Sequence, residues 1–194
     1  MIICGVSFQQ KSVKNLRDKG VKDSKGLTSS RRKELDNYLR DTAEKVEIIE
    51  FEAEKISSMQ KQNTNLNQIE EIGFSKILNR INSNKAFIDA ASANVEKFSK
   101  NLKKRTKYDS KIIAEHKADE NRPPVSAASI IAKVRRDKRI EELKEKFGKI
   151  GSGYPSDSKT TDFLKDWIKN HEKFPDIVRK SWKTVKRIKS ESKK

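Results

Sequence analysis

Two aspartates stand where this sequence could do chemistry. Asp89 closes the short apolar run Lys85-Ala86-Phe87-Ile88, and Asp119 comes after a second run, Lys111 to Glu115. Both runs are expected to be strands, and in an open α/β sheet ligands bind beyond the carboxyl ends of the strands. Two carboxylates placed there could hold a divalent cation through oxygen ligands, the donor type that Mg²⁺ prefers. The residues alone leave a plainer alternative open, in which Asp89 starts a turn before Ala90-Ala91-Ser92 and Asp119 caps the segment after it. His116 and His171 are the only histidines and Cys4 is the only cysteine, so neither a zinc cluster nor an intramolecular disulfide is expected.

The elements that must position these acids can be read from pattern. Met1 to Phe8 has the β-branched content of a buried strand, and a polar stretch continues to Lys25-Gly26. Thr28 or Ser29 can cap a helix reaching about Glu44, with Leu35, Tyr38 and Leu39 on one face. Val46 to Ala53 reads as a strand, and Ser57 to Asn65 as a loop or short helix. Leu66 to Ile81 is amphipathic, with Ile69, Ile72, Ile77 and Ile81 along one stripe. After the strand ending at Asp89 come a basic helix, Asn94 to Lys107, and the strand Lys111 to Glu115. Pro123-Pro124 sits where a helix can begin, and Val125 to Phe147 continues it with Ile130, Val134, Leu143 and Phe147 inward. Gly151-Ser152-Gly153-Tyr154-Pro155 is turn-rich. Helices are expected at about Ser158 to His171 and Pro175 to Ser190. Strands alternating with helices give an α/β fold.

Composition narrows the class of partner. The 194 residues carry 45 Lys and Arg against 28 Asp and Glu, a formal net charge of +17, with 33% hydrophobic and 38% charged content. A field of that size attracts polyanions. Nucleic acid is favoured over an anionic membrane because no hydrophobic anchor accompanies the charge; the alternative is a surface that is simply well solvated. The stretch Arg179 to Lys194 contains eight Lys or Arg and one Glu, and either binds a phosphate backbone or is a solvated basic end. No apolar run is long enough to span a membrane, and Met1 to Val6 is too short for a signal peptide. The chain therefore reads as cytoplasmic, with no membrane partner.

Three strings sharpen this reading. They are Asp23-Ser24-Lys25-Gly26-Leu27; His116-Lys117-Ala118-Asp119 with the run Val125-Ser126-Ala127-Ala128-Ser129-Ile130-Ile131-Ala132-Lys133-Val134-Arg135-Arg136-Asp137; and Gly151-Ser152-Gly153-Tyr154-Pro155-Ser156-Asp157. In order and spacing they resemble ribonuclease HII, and the third resembles its archaeal form, as does Pro175 to Val185 with Val178-Arg179, Ser181-Trp182 and Thr184. The resemblance implies a ribonuclease H-like mixed sheet flanked by helices. It implies a catalytic domain over residues 1–150, and a substrate-binding loop with helices over 151–194 packed on it. It also implies cleavage of RNA in RNA–DNA hybrids, including ribonucleotides embedded in duplex DNA, with two divalent ions, Mg²⁺ or Mn²⁺, held by four carboxylates. Asp89 and Asp119 match two of the four. Tyr154 matches the tyrosine that reads the ribose junction, where the 2′-OH distinguishes RNA from DNA. Ser24 and Lys25 match substrate-contacting positions near phosphate. Ser129, Lys133 and Arg136 share a helix face, with Lys133 and Arg136 assigned to substrate or, alternatively, to bracing the site. A monomer is expected. A sliding clamp is not indicated, since no glutamine-led aromatic motif is seen near the C-terminus.

The family also opens with a strand carrying Asp-Glu-Ala-Gly-Arg-Gly, which supplies the other two carboxylates. Here Met1 to Val6 matches the strand after it. The central first strand is accordingly expected to be missing, with a start codon assigned too late as the simplest explanation. The consequences expected are impaired metal binding and cleavage, exposed strand edges and low stability. The rival reading is a catalytically impaired nucleic-acid-binding remnant.

Overall fold

A computed structural model describes residues 1–22 and 26–192. The β-branched N-terminal segment forms β1 (Ile2–Ser7), which pairs antiparallel with β2 (Lys45–Glu50), from Ile2 opposite Glu50 to Ser7 opposite Lys45. Between them lie α1 (Gln10–Asp18) and α2 (Ser29–Thr42). Thr28 caps α2, its hydroxyl accepting from Arg31 N at 3.2 Å. Leu16 of α1, Leu35 and Leu39 of α2, and Ala127, Ile130 and Ile131 of the long helix α7 (Pro123–Phe147) close into one buried cluster with Val21. The small residue Ala127 lets that helix approach closely. α4 (Leu66–Ile81) lies tightly on β1, since a Cβ on Gly5 would fall 2.3 Å from Ile77 Cγ2.

β3 (Lys85–Asp89) and β4 (Lys111–Glu115) are parallel, and α5 (Val95–Arg105) provides the crossover that parallel pairing requires. Leu78, Ile88, Ala90, Phe98 and Leu102 form their core. Parallel pairing places the carboxyl ends of both strands side by side, with Asp89 opposite Glu115. The short α6 (Ala118–Asn121) comes immediately after. Among the described residues the four strands make two separate two-stranded ladders, β1–β2 and β3–β4.

These elements, residues 2–50 and 67–135, form one compact unit; Met1, 51–66 and 136–194 form another. The second unit holds α3 (Ala53–Lys61), the end of α7, α8 (Ser158–Asn170) and α9 (Lys183–Glu191). Its core is Leu164, Phe174, Val178, Val185 and Ile188, with both tryptophans of the chain, Trp167 and Trp182, packed against it. Among the described residues no helix is long and apolar enough to cross a membrane.

Local structure departs from sequence expectation in three places. The polar stretch after Phe8 contains α1, anchored by the fully buried Leu16. The second strand stops at Glu50, and α3 begins at Ala53 inside the segment expected to be extended. The last helix starts at Lys183 and not at Pro175. Residues 175–182 instead make turns, with Val178 N bonded to Pro175 O and Trp182 N to Arg179 O. Lys180 N donates to the Ser57 hydroxyl at 3.3 Å, a partner outside any helix ladder.

Candidate active site

The end of the β3–β4 ladder is fixed by the backbone. Ala90 N donates to Glu115 O at 3.0 Å, extending the ladder by one bond. The next residue, His116, returns the tie: its Nδ1 lies 2.9 Å from Ala90 O, and since a carbonyl only accepts, that nitrogen carries the proton. Lys117 is left-handed (φ 56°, ψ 36°), which costs roughly 1–2 kcal/mol for a residue with a Cβ. The reversal aims Ala118 N at Asp89, whose Oδ1 accepts at 3.2 Å. Asp119 enters in the first turn of α6 and is only 5% exposed. The Ser126 hydroxyl, itself buried, donates to the Asp119 carbonyl and so ties α6 to the start of α7.

Glu115 is the third acid nearby, but it is engaged. Arg122 Nε and Nη2 grip its carboxylate at 2.6 and 3.2 Å, and the guanidinium lies 4.9 Å over the Phe87 ring. The hydrogen bond to Arg122 is the main reason the Glu115 carboxyl is held below its ordinary range. Among the described residues no group of three or more His, Cys, Asp or Glu side chains is placed to hold a metal ion.

In the other unit, Gly151 to Asp157 forms a loop shaped by side chains. Gly151 and Gly153 have φ of +70° and +74°. A Cβ on Gly151 would sit 2.6 Å from Thr160 N, and one on Gly153 would sit 2.7 Å from Ile140 Cδ1. Asp157 caps α8: its Oδ1 accepts from Lys159 N at 3.0 Å and its Oδ2 from Ser152 N at 2.6 Å. Those bonds, Ser152 first, hold the Asp157 carboxyl below its usual range. Thr160 Oγ1 accepts from Gly153 N and donates to Ile150 O, both at 3.0 Å. The loop presents Tyr154 half exposed, with the Arg136 guanidinium 4.1 Å over its ring.

The strings that shape both places run in one order along the chain, and a profile of ribonuclease HII matches residues 1–185. The chain belongs to the ribonuclease HII family. A ribonuclease HII from Thermococcus onnurineus is 43% identical over 190 residues, covering 97% of this chain and 82% of the relative. The solved ribonuclease H2 from Pyrococcus horikoshii OT3 superposes with a TM-score of 0.89 at 36% identity, all of each chain being covered. The ribonuclease HII of the PCNA complex from Archaeoglobus fulgidus gives 0.87 at 38% identity, over 96% of this chain and 88% of that one.

Of the residues that the ribonuclease HII resemblance singles out, Asp89 ends β3, and Asp119 follows Ala118, whose N donates to Asp89 Oδ1. Tyr154 and Arg136 come together in the other unit, where Arg136 is turned onto protein groups: the Tyr154 ring, Ser152 O and Asp137. Lys133 is half-buried on α7. Ser24 and Lys25 lie outside the described residues. The roles of His116 and of the Glu115–Arg122 pair were missed by sequence reasoning. His116 opens one of the family-like strings, but a tie made by its ring to a carbonyl 26 residues away leaves no spacing signal.

Proposed function

We propose that this chain is an endonuclease of the ribonuclease HII family that cuts RNA in RNA–DNA hybrids, including ribonucleotides embedded in duplex DNA. The observation that carries this is the Ala118 N–Asp89 Oδ1 bond, which ties the end of β3 to the α6 turn that carries Asp119. The net charge of +17 suits a polyanionic substrate.

The donor set can be tested against a metal. Mg²⁺ keeps several waters and is commonly held by one or two carboxylates, so Asp89 and Asp119 fit one hydrated Mg²⁺ or Mn²⁺. A two-ion cage asks for more ligands than the described residues bring together here. A bound dication supplies charge neutralisation at the scissile phosphate and an acidified water. The protein's own contribution is orientation. Ala118 N holds one oxygen of Asp89, and the β3–β4 ladder and α6 fix the backbone from which both carboxylates project. Tyr154, half exposed on a rigid loop, is suited to packing against a sugar and sensing its 2′-OH.

Among the described residues no group of three or more acids, His or Cys is placed to hold a metal ion, which favours a second reading, a nucleic-acid-binding chain with impaired turnover. One assay separates the two. A DNA duplex carrying a single ribonucleotide is incubated with Mg²⁺ or Mn²⁺. Cleavage that disappears in Asp89→Asn and Asp119→Asn supports the endonuclease, whereas salt-dependent binding without cleavage supports the second. The Archaeoglobus relative was solved with PCNA, so a sliding clamp joins the partners to test, against the expectation from sequence. The division at residue 150, a monomeric state and a cytoplasmic location remain part of this reading, each open to direct measurement.

A further inference from the structure

Arg136 lies against the exposed Tyr154, and its bonds point inward. Its Nη2 donates to Ser152 O and its Nη1 to Asp137 Oδ1 at 3.1 Å. Its guanidinium carbon lies over the Tyr154 ring, 4.1 Å from the ring centre, while Tyr154 remains 50% exposed. The Arg136 side chain itself is only 25% exposed. A guanidinium that donates on both terminal nitrogens and stacks on a ring has its planar fork committed to protein, a role lysine cannot copy. The loop is pinned from the other side as well: Ser152 N and Gly153 N are bonded to Asp157 and Thr160, and Gly153 leaves no room for a side chain against Ile140.

We infer that Arg136 is a specificity-determining positioning residue: it covers one face of Tyr154, locks the ring's direction, and leaves only the opposite face to pack against a ribose. This rests on the proposed role of Tyr154 as the ribose reader. It replaces the alternative in which Arg136 meets a substrate phosphate directly. The two differ in what the arginine acts through. A positioning arginine works through the tyrosine and is silent once the tyrosine is gone. A phosphate ligand adds its own share of affinity and of salt dependence.

The experiment is a double-mutant cycle on binding, run in EDTA so that no cleavage occurs. Two duplexes of one sequence are used, one with a single ribonucleotide and one all DNA. Their affinity ratio is measured for the parent chain, Arg136→Lys, Tyr154→Ala and the double variant, each checked for a cooperative melt. Arg136→Gln serves as a second substitution if the lysine variant fails to fold. The ratio is expected to fall about tenfold in Arg136→Lys, the scale of one lost polar discrimination. It should fall no further when Arg136→Lys is added to Tyr154→Ala, and the salt slope should stay at the parent value. A lysine variant that keeps the ratio, or additive losses with a slope reduced by about one, overturns the inference while leaving Tyr154 as the reader. A parent chain that binds both duplexes equally overturns the reading of Tyr154, and this inference with it.

Discussion

The turn at the end of β3–β4 and the loop at Tyr154 are built in opposite ways. The first is held by main chain: ladder bonds, one left-handed lysine and amide-to-carboxylate contacts set where Asp89 and Asp119 stand. His116 and Ser126 add side-chain ties to carbonyls, and Arg122 grips the Glu115 carboxylate. The second is held by side chains acting on an irregular backbone, with Asp157, Thr160 and Arg136 each bonding the loop's amides or carbonyls. Where the backbone makes the geometry, chemistry can be changed without changing shape. Where side chains and glycines make it, shape goes first.

The largest test of that contrast is Asp119→Asn. The isosteric amide keeps the α6 turn but removes a charge, so metal-dependent cleavage should fall by about a thousandfold, as expected when charge stabilisation is lost from a metal site. Circular dichroism should be unchanged; a collapse of the fold would break the comparison. Gly151→Ala is the converse. Left-handed backbone costs about 1–2 kcal/mol with a Cβ, and the contact with Thr160 N adds to it, so hybrid affinity and Tm should both drop while Asp119 chemistry is untouched. Calorimetry and binding with the catalytic residues intact measure it.

Asp157→Ala sharpens the picture through pH. Its carboxyl is held below the ordinary range in the folded chain, so its stabilisation is complete above the unfolded value. That stabilisation is lost as pH falls through the lower folded value. The variant should melt below the parent at neutral pH, and the two Tm curves should converge in acid; a gap constant with pH would contradict the bonds from Ser152 N and Lys159 N to the ionised carboxylate. The smallest effect is at Lys117. Glycine accepts the left-handed turn without strain, so Lys117→Gly should stabilise by at most about 1 kcal/mol, after its greater freedom in the unfolded chain is set against the relief. Chemical denaturation reads it. A loss of stability would mean that the lysine side chain, and not the backbone, holds the turn.

Pattern revealed most of the scaffold around the acids. The strands Lys85–Asp89 and Lys111–Glu115 and the helix Leu66–Ile81 occur with the bounds expected from β-branched runs and the isoleucine stripe. Asp89 and Asp119 were legible because apolar runs lead up to them. α1 was not, because its nine residues carry only two apolar side chains, Val13 and Leu16, too few to stand out from a polar stretch. The last helix was drawn too long because Ile177, Val178 and Trp182 are core residues whatever their backbone does. Arg136 reads from sequence as meeting substrate or bracing the site. Its turn onto Tyr154 depends on a loop conformation made by residues 15 to 21 positions away, beyond any local pattern.

Both tryptophans lie in the unit that carries Tyr154, and Trp167 is stacked on His171 at 4.1 Å and 11°. Emission excited at the red edge of the spectrum therefore reports that unit alone, while far-ultraviolet ellipticity sums over the helices of both. Overlaying the two melting curves asks whether the acids and the tyrosine loop come apart in one transition or two. The chain carries its own pair of independent probes for that question, with no label to attach.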